Sequence, residues 1–146
     1  KIIIMNTLDE LIQSINETKE TYNETKARLI HLMKGKVSDL SMIPELYNEY
    51  LHIAERYKFN NDERSGNRKQ FLLVILALYN PGALLGAKLS KDLRMTVKDT
   101  FGHKSNTLIY EIRKLALAWF DTYPSFKRES NIAYSELLQY IDNKKH

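Results

Sequence analysis

The stretch SKDLRMTVKDTFGHKSNTLIYEIRKLALAW, residues 90–119, decides the fold class. Ser90 is a capping residue, and the chain after it repeats apolar side chains at helical spacing: Leu93, Val97 and Phe101. Gly102-His103-Lys104 interrupts the pattern as a tight turn. Ser105 can cap a second helix whose apolar set is Leu108, Ile109, Ile112, Leu115, Ala116 and Trp119, running to about Tyr123 before Pro124 stops it. Two helices joined by a short glycine-containing turn have the form of a helix-turn-helix. Gly102 can take a positive φ at the turn without steric cost.

The chain on either side also reads as helix. Thr7 caps a first helix, with Glu10 completing a capping box. Leu8, Ile15, Tyr22 and Leu29 recur seven apart, and Leu11, Thr18, Thr25 and Leu32 form a second seam. This helix should end near Gly35. A second begins around Ser41, with Pro44 in its first turn and a stripe of Ile43, Leu46, Tyr47, Tyr50, Leu51, Ile53, Ala54 and Tyr57. The two are expected to form an antiparallel hairpin; a coiled coil between chains is the other reading of the same heptads. Residues 58–67 are polar and non-periodic and read as a linker. Arg68 to Tyr79 is apolar all round, as a buried helix should be, although Val74 and Ile75 leave a strand open. Asn80-Pro81-Gly82 breaks it, residues 83–89 are a loop or short helix, and a last helix covers about Glu129 to Ile141. The expectation is an all-α protein, with a helical hairpin at 5–58 followed by a helix-turn-helix bundle at 66–142.

Composition narrows the function. At 146 residues the chain is long enough to bury a core. It contains no cysteine, which removes disulfides, thiolate chemistry and cysteine-based zinc sites, and a cytoplasmic setting is expected. No apolar run approaches the roughly 20 residues of a membrane span, so no membrane partner is expected. Met5 reads as a natural start, with Lys1 to Ile4 set aside as upstream sequence. Two Asn-Glu-Thr triplets, at Asn16 and Asn23, match glycosylation acceptors but lie on the first helix and are discounted.

Charge is unevenly spread. Residues 1–60 hold 8 Lys and Arg against 9 Asp and Glu; residues 61–146 hold 14 against 9. A surface for a polyanion should therefore lie in the second half. The residues that would form it cluster around the turn. His103, Lys104, Ser105, Asn106 and Thr107 stand where the N-terminus of a helix favours a phosphate. Lys104 can meet a phosphate or a guanine, and Asn106 an adenine edge. Tyr110, Arg113 and Lys114 follow one to two turns on.

The stretch from Phe101 to Leu115 resembles the recognition helix of the C-terminal DNA-binding domain of the bacterial replication initiator (DnaA) family, in the Trp-repressor-like helix-turn-helix group. Gly102, Thr107, Leu108, Ile109, Arg113 and Lys114 match its pattern of glycine turn, threonine, apolar pair and Arg-Lys. An apolar helix and a basic segment precede the motif in that family. Phe71 to Tyr79 and Lys88, Lys91 and Arg94 are candidate counterparts. Lys104 and Ser105 stand where the family has Asp and His, and Asn106 replaces a threonine, so the initiator's target sequence does not carry over. No ATPase domain accompanies the motif, since the chain lacks a phosphate-binding glycine loop. The resemblance implies a regulator of transcription or replication, of the kind a phage or mobile element encodes, that places the Ser105 helix in the major groove of double-stranded DNA.

The expected contact set is Lys91, Arg94, His103, Lys104, Ser105, Asn106, Thr107, Tyr110, Arg113 and Lys114. The dispersed histidines His31, His52, His103 and His146 suggest no metal site, nothing positions a catalytic group, and no cofactor is expected. The N-terminal helices are expected to make a homodimer. The rival reading is a non-enzymatic structural or adaptor protein, for example of a phage particle, that uses its helices for assembly.

Overall fold

A computed structural model describes residues 7–60, 64–105 and 107–145, with 64 and 65 described as backbone only. It is all helical, without strands among the described residues. The α-helices are α1 (Leu8–Leu32), α2 (Ile43–Arg56), α3 (Arg64–Tyr79), α4 (Lys91–Phe101), α5 (Thr107–Thr122) and α6 (Pro124–Lys144). Short 3-10 turns at Leu40–Met42 and Pro81–Leu85 lead into α2 and out of α3. The chain divides into two units, residues 1–34 and 35–146.

The first unit is α1 alone. The Thr7 hydroxyl accepts the amide of Glu10 at 3.2 Å, which is the capping half of the box read from the sequence. Asp9 and Glu10 sit in its first turn and His31 in its last. No residue of α1 is buried. Leu8, Leu11, Ile12, Ile15, Tyr22, Leu29 and Leu32 are all exposed.

The second unit is organised around α3. Phe71, Leu72, Leu73, Val74, Ile75, Leu76 and Leu78 are buried, so this helix is covered on every side, as its unbroken apolar run requires. The helices α2, α5 and α6 pack on it. Fully burying each such side chain contributes about 1.5–3 kcal/mol. The strand alternative for Val74 and Ile75 is therefore settled in favour of helix.

One polar side chain is sealed into this core. Gln70 is fully buried; the Tyr50 hydroxyl donates to its Oε1 at 2.6 Å, and its amide nitrogen donates to the Ser130 hydroxyl at 3.3 Å and the Phe126 carbonyl at 3.5 Å. The network joins α2, α3 and α6 at one level. Beside it, Tyr47, Tyr50, Phe71 and Phe101 pack with ring centroids 4.8–6.3 Å apart, tying α2 and the end of α4 to α3.

The structure differs from the sequence reading at four points. The stripe of α2, expected to face the first helix, is instead spent within the second unit: Ile43, Leu46, Tyr50 and Ile53 are buried in the α3-centred core. The division falls at residue 34 rather than in the polar segment 58–67. That segment is not wholly a linker either. Its last four residues start α3, where Gly66 is buried and Asn67 accepts from the Tyr50 hydroxyl at 3.3 Å. Pro124 both ends α5 and opens α6, because its missing N–H is harmless in a first turn and Phe126 behind it is buried. The last helix thus begins five residues before Glu129.

Gly35, read as a helix stop, has a second role. A Cβ at this position would lie 2.3 Å from the Tyr79 carbonyl oxygen, while the amide of Val37 donates to the Leu78 carbonyl at 3.1 Å. The backbone passes so close to the end of α3 that only glycine fits. Gly35→Ala is expected to lower unfolding stability by about 1–3 kcal/mol, measured by urea denaturation; an unchanged midpoint would show that this approach can relax at no cost.

Candidate nucleic-acid interface

The helix-turn-helix read from residues 90–119 is present as α4, a turn and α5. The Ser90 hydroxyl accepts the amide of Leu93 at 3.3 Å and so caps α4 as its sequence suggested. Leu93, Val97 and Phe101 are buried, spaced to put one face of α4 into the core. Gly102 ends α4 in the left-handed region at φ +71°, with the next amide, that of His103, bonded to the Lys98 carbonyl at 3.0 Å. The Ser105 hydroxyl accepts the Thr107 amide at 3.2 Å, the capping bond that the sequence suggested, and the described residues of α5 run from Thr107 to Thr122. Ile109 and Ala116 bury the inner face of α5, and Ile112 packs against the same core.

The expected contact residues fall into two groups. Lys91, Lys104, Ser105, Thr107 and Lys114 are exposed. Asn106 lies outside the described residues. The remaining four are engaged inside the protein. Arg94 donates to the Tyr110 hydroxyl at 3.3 Å, a bond that spans α4 and α5. The Tyr110 ring also lies 5.2 Å from the Arg113 guanidinium. Arg113 donates to the carbonyls of Ala87, at 2.8 Å, and Ala83, at 3.4 Å. His103 stands edge-on to Phe101, centroids 5.8 Å apart, with its Nε2 3.5 Å from an Arg68 nitrogen. These side chains fix the angle and position of the two helices, and Arg113 commits one guanidinium nitrogen to the two carbonyls.

Arg68 was not singled out by sequence. It donates to the Phe101 carbonyl at 2.7 Å, and its guanidinium lies 5.6 Å from the Phe101 ring. A cation at the last turn of α4 offsets the negative end of the helix dipole. No local pattern announces this, because the partners are 33 residues apart.

The outward face of α5 is mixed. Thr107, Glu111 and Lys114 follow one another at spacings of four and three, with Leu108 and Leu115 beside them, 39% and 47% exposed. This face carries one cation, one carboxylate and two leucines. Among the described residues, no cluster of three His, Asp or Glu is placed to hold a metal ion, and no helix is long and apolar enough to cross a membrane.

Compared with known proteins, the chain matches no family model, no curated protein and no solved structure.

The two groups of basic residues should separate by experiment. Arg113→Ala is expected to destabilise the fold by about 1–2 kcal/mol, since two carbonyls lose a charged donor, whereas Lys114→Ala should leave the denaturation midpoint within about 0.5 kcal/mol of wild type. Equal midpoints for the two variants would contradict an anchoring role for Arg113.

Proposed function

We propose that residues 35–146 bind double-stranded DNA through α4, the Gly102 turn and α5, as a sequence-specific regulator of transcription or replication. The observation that carries this reading is the pair of capped helices joined at a left-handed glycine, with the approach to α5 exposed and bearing Lys104, Ser105 and Thr107. The N-terminal end of a helix, with its amides and positive dipole, favours a phosphate. Lys104 and Lys114 supply the sequence-independent attraction; Thr107, Leu108 and Glu111 are the side chains placed to meet base edges in the major groove. The charge surplus of residues 61–146 supports the same reading.

The rival, a helical assembly protein, is favoured by Leu108 and Leu115, which give the same face of α5 an apolar character suited to another protein. Duplex DNA discriminates between them. Fluorescence anisotropy with labelled random and selected duplexes should show binding that weakens steeply with salt. Lys104→Ala and Lys114→Ala should each weaken all duplexes alike and lower the slope of log K against log salt by about 1. If the wild-type chain fails to bind duplexes at low salt, the assembly reading takes the place of the DNA-binding one.

We further infer that α1 is a self-association element that pairs two copies of the chain. A helix 25 residues long that buries none of its own side chains gains little from packing, and isolated helices are marginal in water. Its seams at Leu8, Ile15, Tyr22 and Leu29 and at Leu11 and Leu32 match a coiled-coil repeat, and paired DNA-binding units suit symmetric sites. Sedimentation equilibrium should show a dimer that becomes monomeric when Ile15 and Leu29 are both replaced by Asp. A wild-type monomer at high micromolar concentration would rule this out.

A further inference from the structure

Where α5 hands over to α6, a cavity of about 250 Å³ is walled by Asn60, Trp119, Tyr123, Ser125, Phe126 and Glu129. None of these residues takes part in the helix-turn-helix surface. Three walls are aromatic, and the indole stands nearly perpendicular to each of the other two rings. Trp119 meets Tyr123 at 5.7 Å and 87°, and Phe126 at 5.6 Å and 83°. Perpendicular rings make an angular cage rather than a flat stack.

The remaining wall is a carboxylate in an unusual position. Glu129 is only 7% exposed, and its Oε2 accepts the backbone amide of Asn60 at 2.7 Å. No ion pair with a described lysine, arginine or histidine balances it. Burying a carboxylate against a single neutral donor is unfavourable unless a positive charge is brought to it. The indole beside it already attracts one cation: the Lys69 ammonium lies 4.2 Å from the Trp119 ring centroid, although Lys69 is not a wall of the cavity.

We propose that this cavity binds a quaternary ammonium group. Aromatic faces attract a cation without supplying hydrogen-bond acceptors, so a methylated nitrogen, which has no N–H to satisfy, suits the three rings better than a bare ammonium. Glu129 supplies the charge partner at the wall. The same chemistry comes from a free molecule such as choline or from a trimethylated lysine side chain.

Trp119 is the sole tryptophan of the chain, so all indole fluorescence comes from a wall of this cavity. The full chain is titrated with choline and with its neutral isostere 3,3-dimethyl-1-butanol. A saturable change with choline and none with the isostere is expected. Glu129→Gln keeps an acceptor for the Asn60 amide and should weaken choline binding about tenfold or more, with an unchanged far-UV circular dichroism spectrum. Tyr123, which is half exposed, provides a second variant that leaves the fold intact, and Tyr123→Ala should also weaken binding. A trimethyllysine peptide that binds more tightly than choline identifies a side-chain ligand; one that binds more weakly identifies a free molecule. The proposal fails if choline and its isostere act alike, if neither gives a saturable change, or if Glu129→Gln and Tyr123→Ala both bind choline as wild type does.

Discussion

Everything in residues 35–146 answers to the need to cover α3. A helix apolar on every side cannot face water along any of its length, so its neighbours must supply apolar stripes from several directions. The helices α2, α5 and α6 do so directly, and α4 reaches the same core through Leu93, Val97 and Phe101. Gln70 adds a constraint of another kind. Apolar packing tolerates small slips between helices, but a buried amide bonded to Tyr50, Ser130 and the Phe126 carbonyl is satisfied at one relative height only. The hydrophobic run gathers the helices and this network sets their register.

The helix-turn-helix is held by the same economy of contacts. Arg94, Tyr110 and Arg113 form a chain of polar and cation–ring contacts that begins on α4, crosses to α5 and ends on the carbonyls of Ala83 and Ala87. Arg68 fastens the other end of α4 from α3. The angle between the two helices is thereby fixed by the protein's own contacts, as the groove binding proposed above would require. The exposed cations are left as lysines, whose single ammonium on a flexible stem suits phosphate contacts of loose geometry, while the arginines, with forked planar donors, are used for the fixed internal bonds.

The elements were legible in the sequence wherever the governing signal was local. Caps at Thr7 and Ser90, the glycine at 102 and the all-round apolar run of 71–79 each act within a few residues, and each appears in the structure where it was read. What could not be read depended on partners far along the chain. The stripe of α2 is amphipathic whichever helix it meets, so periodicity placed its face without naming its neighbour. Arginines at 94 and 113 look identical to solvent-facing ones until the Tyr110 hydroxyl and the Ala87 carbonyl, 16 and 26 residues away, are brought beside them. The polar residues 64–67 mimic a linker because Tyr50, whose hydroxyl donates to Asn67, lies in another helix. Glu129 and the aromatic cage around it gave no pattern, since their relation spans the end of α2 and two later helices.

The absence of buried residues in α1 sets up a steep gradient of local stability along the chain. Amides in α3 are released to solvent only when the whole core opens, whereas those of α1 are held by the helix's own hydrogen bonds and need only local fraying. Its basic residues Lys19, Lys26 and Arg28 are therefore open to a trypsin-like protease in any copy whose α1 is uncovered, and cleavage there leaves residues 35–146 with their core complete. On the pairing proposed above, an α1 covered by its mate would be shielded from such trimming, and a copy without a mate would be cut back to residues 35–146.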